Sequence, residues 1–298
     1  MTDATTTFNA LRPRLQGIAY RMLGSIADAE DVVQDVWLRW HEAAHATLDS
    51  AEAWLVTVTT RLSIDRLRSA KARRENYVGF WLPEPILTDP PATPEEIREF
   101  SDDVSVAFLV LLERLSPVAR AAFLLREVFD VDYGEVARIL DKTEAGCRQL
   151  VRRARLQLRE ARPRYAVSRE THRQLLAEFA EAASRGDMGA MVAMLADDAE
   201  LIGDGGGIVP SFGKVLAGGR RIAQLYHATV RRFPDAVRVE VAMINGEPAL
   251  VRFVDGELES AQCYETDGER IVRIHVQRNP QKLARIAAAW GQRPASLS

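Results

Sequence analysis

The sequence predicts a multidomain chain: two all-α domains joined by a proline-rich linker, then an α+β domain. Three observations carry that expectation. Apolar residues recur at helical spacing through residues 8–77 and again through 103–162. Between them stand Pro83, Pro85, Pro90, Pro91 and Pro94, which exclude a continuous helix. Beyond residue 236 the apolar spacing becomes alternate, the period of a half-buried strand. The expected domains are 1–77, a linker at 78–102, 103–163 and 164–298, and 298 residues suit two or three domains.

In the first domain, SIADAEDVVQDVWLRWHEA sets Val33, Trp37 and Trp40 at helical spacing with Val32 and Val36 beside them, and Asp28, Asp31 and Asp35 on another face. Ser25 or Asp28 can cap its start, where acids also complement the helix dipole. After the polar break HATLDSA, AEAWLVTVTTRLSIDRLRSAKARREN reads as a long helix with Trp54, Leu55, Val58, Leu62 and Leu67 on its apolar side. The linker contains an oddity: GFWLPEP at 79–85 places Phe80, Trp81 and Leu82 beside Pro83 and Pro85. A tether in water gains nothing from exposing three large apolar side chains, so this segment is expected to lie against a folded surface.

The second domain begins with the apolar helix DVSVAFLVLLERL; Ser116 and Pro117 then supply a cap and a first helical position. Residues 132–159 read as helix, turn, helix: Tyr133, Val136, Ala137, Ile139 and Leu140 give the first helix its core side, Asp141-Lys142-Thr143 makes the turn, and Thr143 caps the second. In the third domain, SRETHRQLLAEFAEAASRGDMGAMVAMLADDAEL is expected to form two helices broken at Arg185-Gly186-Asp187. A glycine loop at 204–207 and a helix at 218–233 follow. Val237, Val239, Val241 and Met243 alternate with other residues, as do Val272, Ile274 and Val276, and Asn245-Gly246, Asp255-Gly256 and Asp267-Gly268 are hairpin signals. The expectation is an antiparallel meander with helices on one side.

Composition narrows the function class. Apolar residues make up 47% and charged residues 27%, ordinary for a globular protein, and no apolar run is long enough to span a membrane. The start of the chain shows no signal-peptide pattern, and Cys147 and Cys263 have no metal-ligand spacing, so a reduced cytoplasm is expected, with no metal and no cofactor. A net charge of −3 argues nothing about nucleic acid, but arginines cluster at 61–74 and 148–164. The second helix of the helix–turn–helix presents Arg148, Gln149, Arg152, Arg153 and Arg155, residue types suited to base edges and phosphates in a major groove. Any solvated helix face can be basic; the capped turn and the two preceding helices favour DNA. Two basic helices in separate all-α domains suggest the reading of two DNA segments.

These stretches resemble extracytoplasmic-function (group IV) sigma factors of RNA polymerase. DAEDVVQDVWLRWHEA and AWLVTVTTRLSIDRLRSAKARR are similar to the two halves of their region 2, and LERLSPVARAAFLLREVFDVDYGEVARILDKTEAGCRQLVRRARLQL to their region 4. The resemblance implies that Asp28, Asp31, Gln34 and Asp35 dock on the β′ clamp of core RNA polymerase. It implies that the loop around 45–52 and the helix with Arg61, Asp65, Arg66 and Arg68 melt and read the minus-ten promoter element. The helix from Glu144 to Leu158 would read the minus-thirty-five element, with the β flap as a further polymerase contact. The last domain resembles SnoaL-like folds, as in the SigJ-like subgroup, whose hallmarks are a WLPEP linker, a DGGGK loop and an NPDKL segment. This chain keeps Trp81-Leu82-Pro83-Glu84-Pro85, has Ile208 after Asp204-Gly205-Gly206-Gly207, and has Gln281 within Asn279-Pro280-Gln281-Lys282-Leu283. Trp81, Leu82, Pro83, Asp204, Gly205, Gly206, Asn279, Pro280 and Lys282 are the expected interdomain contacts.

SnoaL-like folds include proton-moving enzymes, which makes Asp204, Tyr226, His227, Arg252, Tyr264 and His275 candidates for lining a cavity, with Arg273, His275 and Gln277 on a face that could be the concave one. A cavity without chemistry is the favoured reading, a small-ligand pocket the intermediate one. The glycines at 205–207 lack a following GK[ST], so a tight turn or domain contact is expected rather than a phosphate loop. The expected function is a non-catalytic sigma factor modulated by its own C-terminal domain. The rival is a ligand-binding DNA-binding regulator, or an SnoaL-type enzyme with a DNA-binding appendage.

Overall fold

The computed structural model describes residues 4–43, 48, 50–74, 77–88, 104–159 and 167–291, leaving aside the side chain of Arg73. The chain forms two compact units: Met1–Asn76 with Thr93–Val104 and Phe108–Arg162, and Tyr77–Ala92 with Ser105–Ala107 and Pro163–Ser298. Residues 89–102 of the expected linker lie outside the described residues, apart from this division.

The first unit is all-α. Helices α1 (Ala4–Leu23), α2 (Ile26–Glu42) and α3 (Ala51–Arg74) pack around Leu15, Ile18, Met22, Val32, Val36, Leu55 and Leu67. Ser25, rather than Asp28, caps α2, accepting from the Asp28 amide at 3.3 Å. Trp40 is buried and donates its indole N–H to the Ala4 carbonyl at 2.8 Å. Helices α4 (Val106–Leu112), which belongs to this unit from Phe108 on, α5 (Pro117–Glu127), α6 (Tyr133–Leu140) and α7 (Glu144–Arg159) follow, with Pro117 opening α5 behind the Ser116 cap. The turn between α6 and α7 bends at Asp141, which adopts a left-handed φ of 52°, and Thr143 accepts from the Gly146 amide at 3.1 Å. Val136, Ile139, Cys147 and Val151 close the core between the two helices.

Glu113 ties the two halves of this unit together. Its carboxylate meets Arg74 of α3 at 2.6 Å and Arg120 of α5 at 2.8 Å, and Arg120 also donates to the Met22 carbonyl at the end of α1. Lys71 adds a bond to the Leu115 carbonyl at 2.7 Å.

The second unit is α+β. Its sheet runs β2-β1-β6-β5-β4-β3, with β1 at Leu195–Asp204, β2 at Leu216–Ala217, β3 at Val237–Ile244, β4 at Glu247–Val254, β5 at Glu257–Thr266 and β6 at Ile271–Gln277. The three hairpins from β3 to β6 turn at the predicted pairs; Asn245 and Gly246 have φ of 53° and 76°, the left-handed geometry a two-residue hairpin turn requires. Helices α8 (Arg169–Arg185), α9 (Met188–Met194) and α10 (Gly219–Arg232) bury Leu176, Phe179, Ile222 and Tyr226 against one face of the sheet.

Three expectations are corrected. Leu195–Leu201 is strand, not the end of a helix: its Ala, Leu and Glu favour helix intrinsically, but pairing with β6 overrides that preference. The sheet is mixed rather than a pure meander, because β1 lies parallel to β6 while β2 is antiparallel to β1. Helices cover both faces: α11 (Pro280–Gly291) packs Trp290 on Phe253, 5.5 Å between ring centroids, and Phe253 points away from the face that carries Arg252.

Burial opposes ionisation of Glu113, but Arg120 and Arg74 outweigh it and hold its carboxyl below the ordinary glutamate range. A depressed folded pKa gives stability that is complete above the unfolded value and lost as the pH falls through the folded one. Melting curves collected as pH is lowered below about 4.5 should show the wild type losing its advantage over Glu113→Gln; a constant difference would contradict this.

Candidate functional site

The acidic face expected on α2 exists. Asp31, Gln34 and Asp35 are exposed, and Leu38, one turn further on, is 55% exposed. Leu38 was not among the expected contacts; helical spacing from Asp31 and Asp35 was the available signal. Arg66 of α3 donates to Asp28 at 2.9 Å and also to Asp31, so one residue expected to read DNA is held by two expected to bind polymerase. Burial works against the Arg66 charge, yet the two carboxylates raise its pKa. Asp65 and Arg68 pair with each other on the exposed side of α3 at 2.9 Å. Arg61 turns elsewhere: it donates to the carbonyls of Ile139 at 2.9 Å and Arg138 at 3.1 Å, at the end of α6, where helix carbonyls lack intrahelical partners. Of the loop around 45–52, residues 45–47 and 49 lie outside the described residues.

On α7, Arg148, Gln149, Arg152, Arg153 and Arg155 are all exposed. They are not equivalent. Arg155 is gripped by both oxygens of Glu127 on α5 at 2.8 and 2.6 Å, and Arg148 pairs with Glu144 at 2.6 Å while lying over the Tyr133 ring.

The expected interdomain residues converge in the second unit. Leu82, Pro83, Glu84 and Pro85 are buried, and Trp81 is half-buried. Beneath them Asp204, fully buried, accepts from the Tyr77 hydroxyl at 2.7 Å, the Leu82 amide at 2.9 Å, the Gly206 amide at 2.9 Å and Lys282 at 2.7 Å. Lys282 also donates to the Leu82 carbonyl at 2.6 Å, and its ammonium sits 4.4 Å from the Trp81 ring centroid and 5.2 Å from that of Tyr77. The linker's Leu82 thus bonds the acid through its N–H and the base through its C=O.

The remaining motif residues shape this site. Asn279 donates to the Tyr77 hydroxyl at 3.1 Å and accepts from the Gln281 amide, capping α11 behind Pro280. Gly206 must be glycine: its φ is 64°, and a Cβ there would stand 2.3 Å from the Asn279 amide nitrogen. Gly205 makes the turn, accepting from the Ile208 amide at 3.0 Å. Ile208 is 54% exposed. Beyond Leu82 the linker continues to β3, where Thr88 donates to the Met243 carbonyl, Asn245 donates to the Ile86 carbonyl, and Leu87 bridges Ile244. Tyr77, Asn245 and Gln277 were missing from the expected contacts; Tyr77 directly precedes the linker, while only the fold brings Asn245 and Gln277 beside it.

The cavity of this unit lies on the other face of the sheet. It measures 430 Å³ and is lined by Tyr226, Arg252 and Gln262 among others. Tyr264 lies beneath it, bonded to Tyr226 and Gln262, while His227 bonds the Gly186 carbonyl at 2.7 Å. The face carrying Arg273, His275 and Gln277 is not the concave one: Val276 lines the cavity, and its neighbours in the strand point away from it. Asp204 belongs to the linker site. Burial, helped by Arg273, pushes the His275 imidazole down to about 3, and burial pushes the neighbouring Cys263 thiol up, so neither is poised for proton transfer or nucleophilic attack. Among the described residues no group of acids, histidines and cysteines could hold a metal, and no helix is long and apolar enough to cross a membrane.

Comparison with known proteins decides the family. Residues 7–73 match Sigma-70 region 2 and residues 105–158 match Sigma-70, region 4. The chain is 35% identical over 288 residues to the ECF RNA polymerase sigma factor SigJ of Mycobacterium tuberculosis, covering 95% of this chain and 89% of the relative. The chain belongs to the extracytoplasmic-function sigma factors. Probable ECF RNA polymerase sigma factor SigI of the same species is 32% identical over 290 residues, 96% of this chain and 97% of the relative. The crystal structure of the Mycobacterium tuberculosis SigJ sigma factor superposes with a TM-score of 0.76 at 31% identity, over 94% of this chain and 98% of that one. As a sigma factor, the protein binds core RNA polymerase and promoter DNA and directs promoter-specific initiation of transcription; it is not an enzyme.

Lys282→Met in this sigma factor leaves Asp204 buried without its cation. Removing one partner of a buried pair costs about 3–5 kcal/mol. The second unit should melt earlier, and the segment 77–88 should become a site of rapid proteolytic cleavage. Unchanged melting and cleavage would show that the pair does not hold the linker.

Proposed function

We propose that the sigma factor uses the exposed α2 face, Asp31, Gln34, Asp35 and Leu38, with Asp28 beside it, to dock on the β′ clamp. Helix α3, through Arg61, Asp65, Arg66 and Arg68, opens and reads the minus-ten element, and α7 reads the minus-thirty-five element. A groove beside α7, lined by Phe123, Leu156 and Leu158 together with Glu127, Arg152, Arg155 and Arg159, suits the β flap, since exposed Leu156 offers apolar surface among charged side chains. The observation that carries this reading is the exposure of Gln149, Arg152 and Arg153 along one capped helix behind a left-handed turn, the geometry of a major-groove reader.

The linker site supports a regulatory role for the C-terminal domain. The two promoter elements are about 25 positions apart, on the order of 85 Å at roughly 3.4 Å per step. Arg61 bonded to the end of α6 is a resting arrangement, because the minus-ten and minus-thirty-five readers must separate to act together. Residues 77–88 lie within the tether between α3 and α4 and are pinned by Asp204, Lys282 and β3. Releasing them adds about 40 Å of extended chain at roughly 3.3 Å per residue. In this reading the SnoaL-like domain sets how far the two readers can part, and run-off transcription with Lys282→Met tests it: an unchanged yield would leave the linker a plain spacer.

Charge reversal at Asp35 should abolish co-purification with core polymerase while leaving the helical content intact; retained binding would move the polymerase contact elsewhere. Arg152→Ala should weaken binding to the upstream element by roughly 1–3 kcal/mol if the contact is bidentate to a base. An equal loss on every sequence would assign Arg152 to a phosphate.

A further inference from the structure

The 430 Å³ cavity between α10 and the sheet falls within the usual size of small-molecule sites, about 300–1,000 Å³. Most of its wall is apolar, from Leu201, Leu225, Phe212, Phe233 and Val276. The polar part is unbalanced in charge. Arg252 and Arg278 both bind the single carboxylate of Glu259, at 2.7 and 2.5 Å, and Arg232 stands at the rim. Glu259 is the one acid among the lining residues, two guanidinium groups share its carboxylate, and Arg232 adds a third positive charge from its exposed place at the rim. Two partly buried cations on one carboxylate leave a net positive charge at the polar end, which an arriving anion offsets. Burial raises the Tyr226 phenol to about 12, keeping it neutral, and its hydroxyl is held at 2.5 Å from Gln262, which fixes the polar end in advance.

The backbone under the cavity also carries the linker. Gly203 and Arg278 line the cavity, while Asp204, Gln277 and Asn279, their neighbours in the chain, hold the linker from the opposite side. The two strand ends are joined by the Arg278 amide donating to the Asp204 carbonyl at 2.7 Å. The Arg278 guanidinium also binds the Pro210 carbonyl, in a loop that exposes Ile208, Phe212 and Val215. A ligand that draws Arg278 toward itself acts on the atoms that position Asp204.

We propose that this cavity binds an organic monoanion with an apolar body, such as a hydrophobic carboxylate, and that occupancy is transmitted through Arg278 and Asp204 to the hold on the linker. The ligand shifts the linker only by its difference in affinity between the held and released forms, and the effect is reciprocal. The proposal goes beyond promoter recognition, and its test needs no polymerase, so its failure would leave the sigma-factor function untouched.

The experiment is calorimetric titration of the full chain with 1-naphthylacetate and dodecanoate, and with the corresponding alcohols, followed by limited proteolysis of residues 77–88 with and without ligand. One carboxylate per chain should bind at least about tenfold more tightly than its alcohol, tenfold being 1.4 kcal/mol. Arg278→Gln should abolish that preference, and the rate of linker cleavage should change on saturation. Ala228→Trp, at an exposed position of α10 on the cavity rim, should block binding without disturbing the fold. Equal affinity for acid and alcohol, full binding by Ala228→Trp, or cleavage indifferent to ligand would each overturn the proposal.

Discussion

The second unit depends on one buried ion pair. Asp204 is wholly enclosed, and a carboxylate without water must have its charge matched and its lone pairs filled. Lys282 supplies the charge, and Tyr77, Leu82 and Gly206 supply the hydrogen bonds. Leu82 belongs to the linker and Tyr77 directly precedes it, so this segment is part of what keeps the acid stable. That explains why an extended, proline-stiffened segment can stay in place without a helix or strand of its own: Pro83 and Pro85 have no amide to satisfy, and the amides of Leu82, Ile86 and Thr88 go to Asp204, Asn245 and Met243. Trp81 completes the arrangement by offering its ring to the Lys282 ammonium, a contact that needs a flat aromatic face rather than bulk alone.

The first unit solves a similar problem with the signs reversed. Arg120 is buried to within 1% and could not remain there alone; Glu113 and the Met22 carbonyl receive it. Since Arg74 and Met22 come from α3 and α1 and Glu113 and Arg120 from the residues that match region 4, the charge cluster also joins the two sigma regions. Arg61 and Arg66 show the same economy of partners. Each is bonded to protein groups, so the DNA contacts proposed for them would exchange these bonds rather than simply add to them.

The helices were legible because their signals are local. Ser116 and Thr143 cap where their side chains are expected to, Ser25 is one of the two caps the sequence offers for α2, and the Asn245-Gly246 turn needs only two residues in left-handed geometry. Leu195–Leu201 was misread because its residues favour helix and its strand character comes from β6, some seventy residues away in the chain. The candidate site was legible as motifs but not as chemistry. WLPEP, DGGG and NPQKL could be seen as three separate segments, whereas Tyr77 and Gln277, which share in the same network, lie outside any motif. The cavity face was likewise misassigned, because alternation separates the two faces of a strand without saying which one a helix will cover.

The sequence by itself determined the family, the order of the helices in the first unit and the hairpin turns, because periodicity, caps and turn residues act over a few positions. Only the tertiary structure decided that β1 joins β6 in parallel, that Arg61 is turned toward α6, and that Trp81 meets Lys282 over a buried Asp204. Those depend on charges and ring faces brought together across as many as two hundred residues, where the free energy of an ion pair is set by burial, and burial is a property of the folded chain.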